Sequence, residues 1–196
     1  MRIGIFGGCF NPPHNMHKNI ALELIRKSYV DKVIYVPTGD TYKKQDLISF
    51  KHRLEMLKLM TINEYDLLVS DIGNNMDYGY TYQVLDYFQK LYKEDEIYFI
   101  CGSDNLNEFA TWKNYKYMLE VYKLLVIKRN NDDMDLLLSK YKEYSKSIII
   151  TDLIECMLSS TLLREKISCS LDSEVLNYID DNVYQYIKKS LLYKNI

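Results

Sequence analysis

GIFGGCFNPPHNMH, from Gly4 to His17, joins a short apolar run to a helical pattern, and the rest of the chain is read outward from it. Arg2–Phe6 has the length and apolar content of a buried strand and ends in glycines. From His14 to Lys27, Ile20 and Leu24, flanked by Ala21 and Ile25, recur at helical spacing. Gly7 and Gly8 allow the backbone to come close to a ligand or to take positive φ. Pro12 and Pro13 stiffen the approach to the helix, where a missing N–H is tolerated. The helix start, with amide protons that have no intrahelical partner, is expected to face the strand ends as an anion site.

The same alternation continues along the chain. Lys32–Pro37 (KVIYVP) reads as a second strand, stopped by proline and glycine. Ser49 is positioned to cap a helix through about Met60, with Leu54, Leu57 and Met60 on one face. Leu67–Ser70 reads as a third strand, and Thr81 as the cap of a helix carrying Val84, Leu85 and Phe88. Glu96–Cys101 and Leu124–Ile127 read as further strands, separated by a helical stretch from about Asn114 to Val121, with Ile148–Ile150 as a sixth. Two helical patterns close the chain, one near Ser160 and one from about Ser173 to Lys188, and Asn130–Asp133 reads as an exposed loop. Strands alternating with helices predict an α/β fold, a Rossmann-like doubly wound parallel sheet with right-handed crossovers and a helical C-terminal tail. Ligands of such sheets sit at the carboxyl ends of the strands, where the strand order switches. The expectation is a single unit over residues 1–196, its helical C-terminal part beginning at about residue 159.

Bulk properties narrow the partners. Lys and Arg number 25 against 27 Asp and Glu, so no basic field is available for a nucleic acid, and an anionic substrate must be held by local features. The apolar runs Ile3–Phe6, Leu124–Ile127 and Ile148–Ile150 are strand-sized, too short to span a membrane. Cys9, Cys101, Cys156 and Cys169 show no CxxC pairing, so a reducing, cytoplasmic setting is expected. Oligomeric state is left open, a homodimer included.

His14 and His17 stand three residues apart, one turn of a helix, beside the expected anion site. Two imidazoles there suit the charge that builds on phosphorus during nucleotidyl transfer, a reaction that needs positioning and electrostatic stabilisation more than covalent help. Other readings stand beside this one. The glycines fall as GxxGG, so the GxGxxG dinucleotide fingerprint is absent, and so is a GxxxxGK[ST] phosphate loop. Cys9, His14 and His17 have the right ligand types for zinc but lack an evident fourth. Histidines that merely cap or pack are the plainest alternative.

GGCFNPPHNMH resembles the GG-[ST]-F-[DN]-P-x-H-x-G-H signature of the HxGH nucleotidyltransferases. VPTGDTYKK after the second strand, YTYQVL at Tyr80–Leu85, ICGSDNLNEFATW at Ile100–Trp112, LLVIKR at Leu124–Arg129 and SSTLLREKI at Ser159–Ile167 are similar, in order, to segments of the bacterial-type nicotinate-nucleotide adenylyltransferases. That resemblance implies AMP transfer from ATP to nicotinate mononucleotide, with magnesium accompanying ATP, in NAD biosynthesis. It implies that Gly7, Gly8, Cys9 and Phe10 line the pocket through their backbone, and that His14, His17 and Arg164 act on the phosphates and stabilise the transition state. Ser160 and Thr161 would bind the triphosphate with Arg164, and Gly102 and Asp104 the adenosine side. Tyr80, Thr81 and Trp112, with Cys9, would shape the acceptor pocket, Trp112 offering a surface to the pyridine ring, and Lys44 (or Lys43) would match the loop lysine. SSTLLR supports part of this physically, since it puts hydroxyls at a helix start and a guanidinium one turn in.

The chain departs from the signature at Cys9, where the family carries Ser or Thr, at Met16, where it carries Gly, and in TGDTYKK, which lacks the family's proline and histidine. The departures bear on the acceptor more than on the chemistry. The same transfer to nicotinamide mononucleotide or pantetheine phosphate, and an inactive nucleotide-binding protein, are the alternative functions.

Overall fold

The computed structural model describes residues 1–42, 46–129, 132–155 and 159–194, and the side chains of these except at 154 and 155. Strands β1 (Arg2–Gly8), β2 (Lys32–Pro37), β3 (Leu67–Val69), β4 (Glu96–Gly102), β5 (Lys123–Arg129) and β6 (Ile148–Glu155) form one sheet in the order β3-β2-β1-β4-β5-β6. Every neighbouring pair is parallel. The order turns back on itself between β1 and β4, so the crevice expected to take a ligand opens at Gly8 and Gly102. The sixth strand runs well past Ile150: its pairing with β5 breaks at a bulge over the polar pair Thr151 and Asp152, which lack the apolar signature of the other strands, and resumes at Ile154.

Helix α1 (Asn15–Arg26) joins β1 to β2, α2 (Phe50–Thr61) joins β2 to β3, and α3 (Thr81–Leu91) precedes β4. After β4 come α4 (Ser103–Glu108) and α5 (Tyr115–Val121), then α6 (Met134–Ser139) between β5 and β6. Helices α7 (Ser160–Ser168), α8 (Asp172–Val175) and α9 (Asp181–Lys189) follow the last strand. Successive strand residues point to opposite faces and feed separate cores. Val33 and Tyr35 of β2 pack with Ala21 and Leu24 of α1, Leu57 of α2 and Val183 of α9. Ile34 and Val36 pack on the other side with Leu85 of α3, Leu106 of α4 and Leu119 of α5. A sheet covered on both faces is the arrangement predicted from the alternation.

Several boundaries differ from the sequence reading, each for a local reason. His14 is the N-cap of α1 and lies outside the helix. Thr81 is the first residue of α3, and the capping position is taken by Tyr80, whose N–H donates to Gln83 Oε1 at 3.0 Å. On α2 the buried stripe is Arg53, Met56, Leu57 and Met60, with Leu54 only half-buried. The pattern from Ser173 to Lys188 breaks into α8 and α9, and the break turns the Tyr178 carbonyl toward α1, where it accepts from the Asn15 N–H at 2.8 Å. Of the expected loop Asn130–Asp133, the first two residues lie outside the described residues.

Candidate active site

The turn after β1 carries no positive-φ glycine; the left-handed residue there is Phe10, at φ 48°. A Cβ on Gly8 would crowd the Phe10 ring at 3.1 Å, whereas one on Gly7 would make only an ordinary contact at 3.4 Å with Phe99. Phe10 is buried and sets its ring edge-on to His17 at 5.0 Å and to Tyr35 at 5.6 Å. The turn thus delivers two histidines in a fixed relation: the imidazoles of His14 and His17 stack with centroids 3.7 Å apart. The His14 N–H donates to His17 Nδ1 at 3.2 Å, which leaves the proton of a neutral His17 on Nε2. His14 is 2% exposed, and its Nδ1 has no hydrogen-bond partner among the described residues.

The expected anion site at the α1 terminus is only partly available. His14 N–H goes to His17, Asn15 N–H to Tyr178 and His17 N–H to the His14 carbonyl, so few amide protons are left for a ligand. Side chains must therefore supply most of the positive charge. Helix α7 brings the nearest. Arg164 is 8% exposed, and its Nη1 donates to the Asn11 carbonyl at 3.0 Å while Nη2 reaches Thr161 Oγ1 at 3.4 Å. Its Nε is buried without a partner among the described residues. The Ser160 hydroxyl donates to the Pro12 carbonyl at 2.9 Å, which makes it a fastening of α7 to the turn. Ser159, one residue earlier, is the N-cap, accepting from the Leu162 N–H.

Across the switch point, Gly102 caps α4 with φ −80°, a torsion open to any residue. Its requirement is space: a Cβ there would lie 2.4 Å from Asp104 Oδ1 and 2.7 Å from Arg129 Nε. Those two side chains form an ion pair at 2.7 Å. The Arg129 backbone N–H donates to the Ser103 hydroxyl, which donates in turn to Asp132. The Arg129 guanidinium also reaches electrostatically into the histidine pair. Burial foremost, and Arg129 after it, hold His14 at a pKa of about 4, and burial, His14 and Arg129 hold His17 well below 6.5. Both imidazoles are neutral hydrogen-bonding groups near pH 7.

This has a consequence for stability. Between 6.5, the ordinary histidine value, and about 4, the unfolded chain binds protons that the folded chain refuses. Stability is therefore fully present above pH 6.5 and falls as the pH drops toward 4. Melting temperatures over that range should decline for the native protein, and the decline should be shallower in a His14→Asn, His17→Asn double variant. An unchanged slope in that variant would show that the histidines are not the groups responsible.

Of the residues expected to shape an acceptor pocket, Tyr80 stands 49% exposed at the start of α3, with Thr81 half-buried beside it. The Lys113 ammonium sits 4.6 Å above the Tyr80 ring, joining α3 to the segment that holds Trp112. Trp112 is half-buried and packed against Phe109 and Phe99, with centroids at 5.1 and 5.9 Å. Lys43 and Lys44 lie outside the described residues. Cys9 accepts from the Thr38 hydroxyl at 3.7 Å, and no three His, Cys, Asp or Glu side chains converge as metal ligands among the described residues. The Met16 side chain is half-buried and packs against the core on the α1 side of the sheet.

Sequence reasoning missed the groups that hold the turn from beneath. Asn11, 4% exposed, accepts at Oδ1 from the Tyr193 hydroxyl at 2.9 Å and from the Ile48 N–H at 3.4 Å, and donates from Nδ2 to the Asp46 carbonyl at 2.7 Å. Arg53, with a wholly buried side chain, donates to the Cys9 carbonyl at 3.1 Å. The available signal was periodicity, because Arg53 shares the apolar stripe of Leu57 and Met60.

Among the described residues no helix is long and apolar enough to cross a membrane. The cytidylyltransferase-like family profile matches residues 5–166. A relative from Clostridium tetani, named "probable nicotinate-nucleotide adenylyltransferase", is 34% identical over 97% of this chain and 98% of its own. A relative of the same name from Acholeplasma laidlawii is 33% identical over 98% and 97%. A solved structure of Plasmodium falciparum nicotinic acid mononucleotide adenylyltransferase complexed with NaAD shares the fold, with a TM-score of 0.80 at 19% identity over 98% of this chain and 97% of that one. Family profile, full-length relatives and fold agree: the chain belongs to the cytidylyltransferase-like family and, within it, to the nicotinate-nucleotide adenylyltransferases.

Proposed function

We propose that the chain transfers AMP from ATP to nicotinate mononucleotide, forming nicotinate adenine dinucleotide and releasing pyrophosphate. The observation that carries this reading is the convergence of a neutral, stacked histidine pair and the buried, incompletely satisfied Arg164 on the turn at the switch point. The acceptor phosphate oxygen attacks the α-phosphorus, the bond to the bridging oxygen of pyrophosphate breaks, and the leaving group carries away the electron pair. An ionised phosphate needs no general base. The chain's work is to align the two phosphates and to meet the charge that develops on the equatorial oxygens. Neutral His17 offers Nε2–H to that charge, and Arg164 offers its free Nε–H from a buried site, where such a donor is worth more than in water.

Magnesium enters with ATP in this reading. Bound with the triphosphate, the ion would neutralise charge on the departing pyrophosphate. Gly102 and Asp104 take the adenosine side, and Tyr80, Thr81 and Trp112 the pyridine side. We also read residues 1–196 as one unit, because Tyr193 of the C-terminal tail is buried against Asn11 of the first turn.

Pyrophosphate release from Mg-ATP, measured separately with nicotinate mononucleotide, nicotinamide mononucleotide and pantetheine phosphate, tests the reading. Preference for nicotinate mononucleotide is expected; equal rates with both pyridine nucleotides would remove the acceptor assignment and leave the transfer. The ATP side has its own test in Gly102→Ala. The methyl group meets the Asp104 and Arg129 side chains rather than backbone, so the loss of stability should stay within about 1–3 kcal/mol. The Asp104–Arg129 pair must separate, and the KM for ATP should rise about tenfold, the equivalent of one weakened charged hydrogen bond. An unaltered KM would place ATP elsewhere.

A further inference from the structure

Arg53 is the largest of the fully buried side chains, and its guanidinium is spent entirely on the rim of the candidate site. Nη1 donates to the Cys9 carbonyl at 3.1 Å and to Thr38 Oγ1 at 3.5 Å, Nε donates to the Ile48 carbonyl at 2.9 Å, and Nη2 meets Asp40 at 3.4 Å. One planar fork therefore ties together the turn after β1, the loop after β2 and the entrance to α2.

A buried guanidinium contributes to stability only when a close counter-charge repays its desolvation. Asp40 is a weak counter-charge, with its side chain 54% exposed and its contact long. Geometry is the better explanation for an arginine in this place. Phe10, the residue after Cys9, is a non-glycine at φ 48°, a conformation that persists only where the surroundings impose it. Its ring in turn abuts His17 at 5.0 Å.

We propose that Arg53 is a positioning residue for the transfer: it pins the Cys9 carbonyl, and through it the left-handed Phe10 and the His17 ring, at a fixed distance from the β2 loop. Thr38 and Asp40 lie on that loop, so the same fork sets the spacing between the phosphate-handling turn and a wall of the crevice. The inference rests on the adenylyl transfer proposed above.

The test compares wild type, Arg53→Lys and Arg53→Ala for pyrophosphate release from Mg-ATP and nicotinate mononucleotide. Rates are normalised to the folded fraction by circular dichroism, and ATP affinity is measured alone by calorimetry. Lysine keeps the charge and loses the fork. Arg53→Lys should be folded, bind ATP within about threefold of wild type, and turn over about a hundredfold more slowly, the scale of effect of a small misplacement at a reacting centre. Arg53→Ala should be slower still, with turnover partly restored by added guanidinium ion, which fits the vacated site and does nothing for wild type. Wild-type turnover in Arg53→Lys, a loss that merely tracks the folded fraction, or failure of Arg53→Lys to fold at all overturns the proposal. A wild type that releases no pyrophosphate overturns the transfer reading instead.

Discussion

His17→Ala should lower kcat by about a hundred- to a thousandfold, the loss that follows removal of one preorganised donor to a developing negative charge. The direction of the hydrogen bond from the His14 N–H into His17 Nδ1 decides the argument. With Nδ1 accepting, the ring of a neutral His17 has a single proton to give, at Nε2. Its pKa is driven down foremost by burial, so it is neutral in the free protein, and an arriving phosphate meets a donor that has already paid its desolvation. Ground-state binding should change less than turnover, because the interaction strengthens as charge builds on the oxygens.

Alanine also leaves the His14 N–H without its acceptor, and two further substitutions separate the effects. Asparagine at 17 can accept from that N–H but offers nothing at the Nε2 position, so it should restore stability without restoring rate. Glutamine can reach that position with its amide and should recover part of kcat. The remaining histidine, His52, pairs with the Tyr186 hydroxyl at 2.9 Å between α2 and α9, and His52→Ala should keep kcat within about twofold, as a substitution clear of the site does. Steady-state rates on the four variants decide the matter. A fast His17→Ala would leave the histidine with a packing role only.

The features that sequence revealed and those it hid divide by range. KVIYVP and EIYFICG announce buried parallel strands because both faces of the strand are covered and the apolar run is continuous. The histidine pair is legible because its spacing is local. Helix α4 was not: SDNLNE has one buried apolar residue, Leu106, and six residues give no periodicity to read. Periodicity sets Arg53 on the apolar stripe of its helix, but what it holds is visible only once the fold lays Cys9, Thr38 and Ile48 around it. Tyr193 is further still, 182 residues from the Asn11 it holds. Asn15 shows the cost of reasoning from a helix end alone, since its amide proton looked free and is taken by a carbonyl from the break between α8 and α9.

Arg164→Lys should lower kcat/KM for ATP by about a thousandfold while changing the stability of the free protein little, since on the proposed reading the residue acts through two charged hydrogen bonds and on transition-state charge together. In the free protein the guanidinium divides its work. One nitrogen holds the Asn11 carbonyl, another reaches Thr161, and Nε is buried and unpaired. A buried donor without a partner costs on the order of 1–3 kcal/mol. Lysine gives up the Asn11 bond but also removes that orphan donor, and the two changes oppose one another in the absence of ligand. With ligand they no longer cancel. On the proposed reading a phosphate oxygen would satisfy Nε in the native protein, whereas a lysine ammonium is a single point of charge and cannot hold Asn11 and the ligand with one rigid group. The sharpest readout is therefore the melting temperature with and without ATP. At about a hundredfold excess over Kd, ligand binding stabilises a native protein by roughly 2.7 kcal/mol, and this increment should largely vanish in Arg164→Lys at the same ATP concentration. Retention of the full increment alongside a normal kcat/KM would mean that Arg164 serves only to fasten α7 to the turn, and that the unpaired nitrogen awaits something other than the triphosphate.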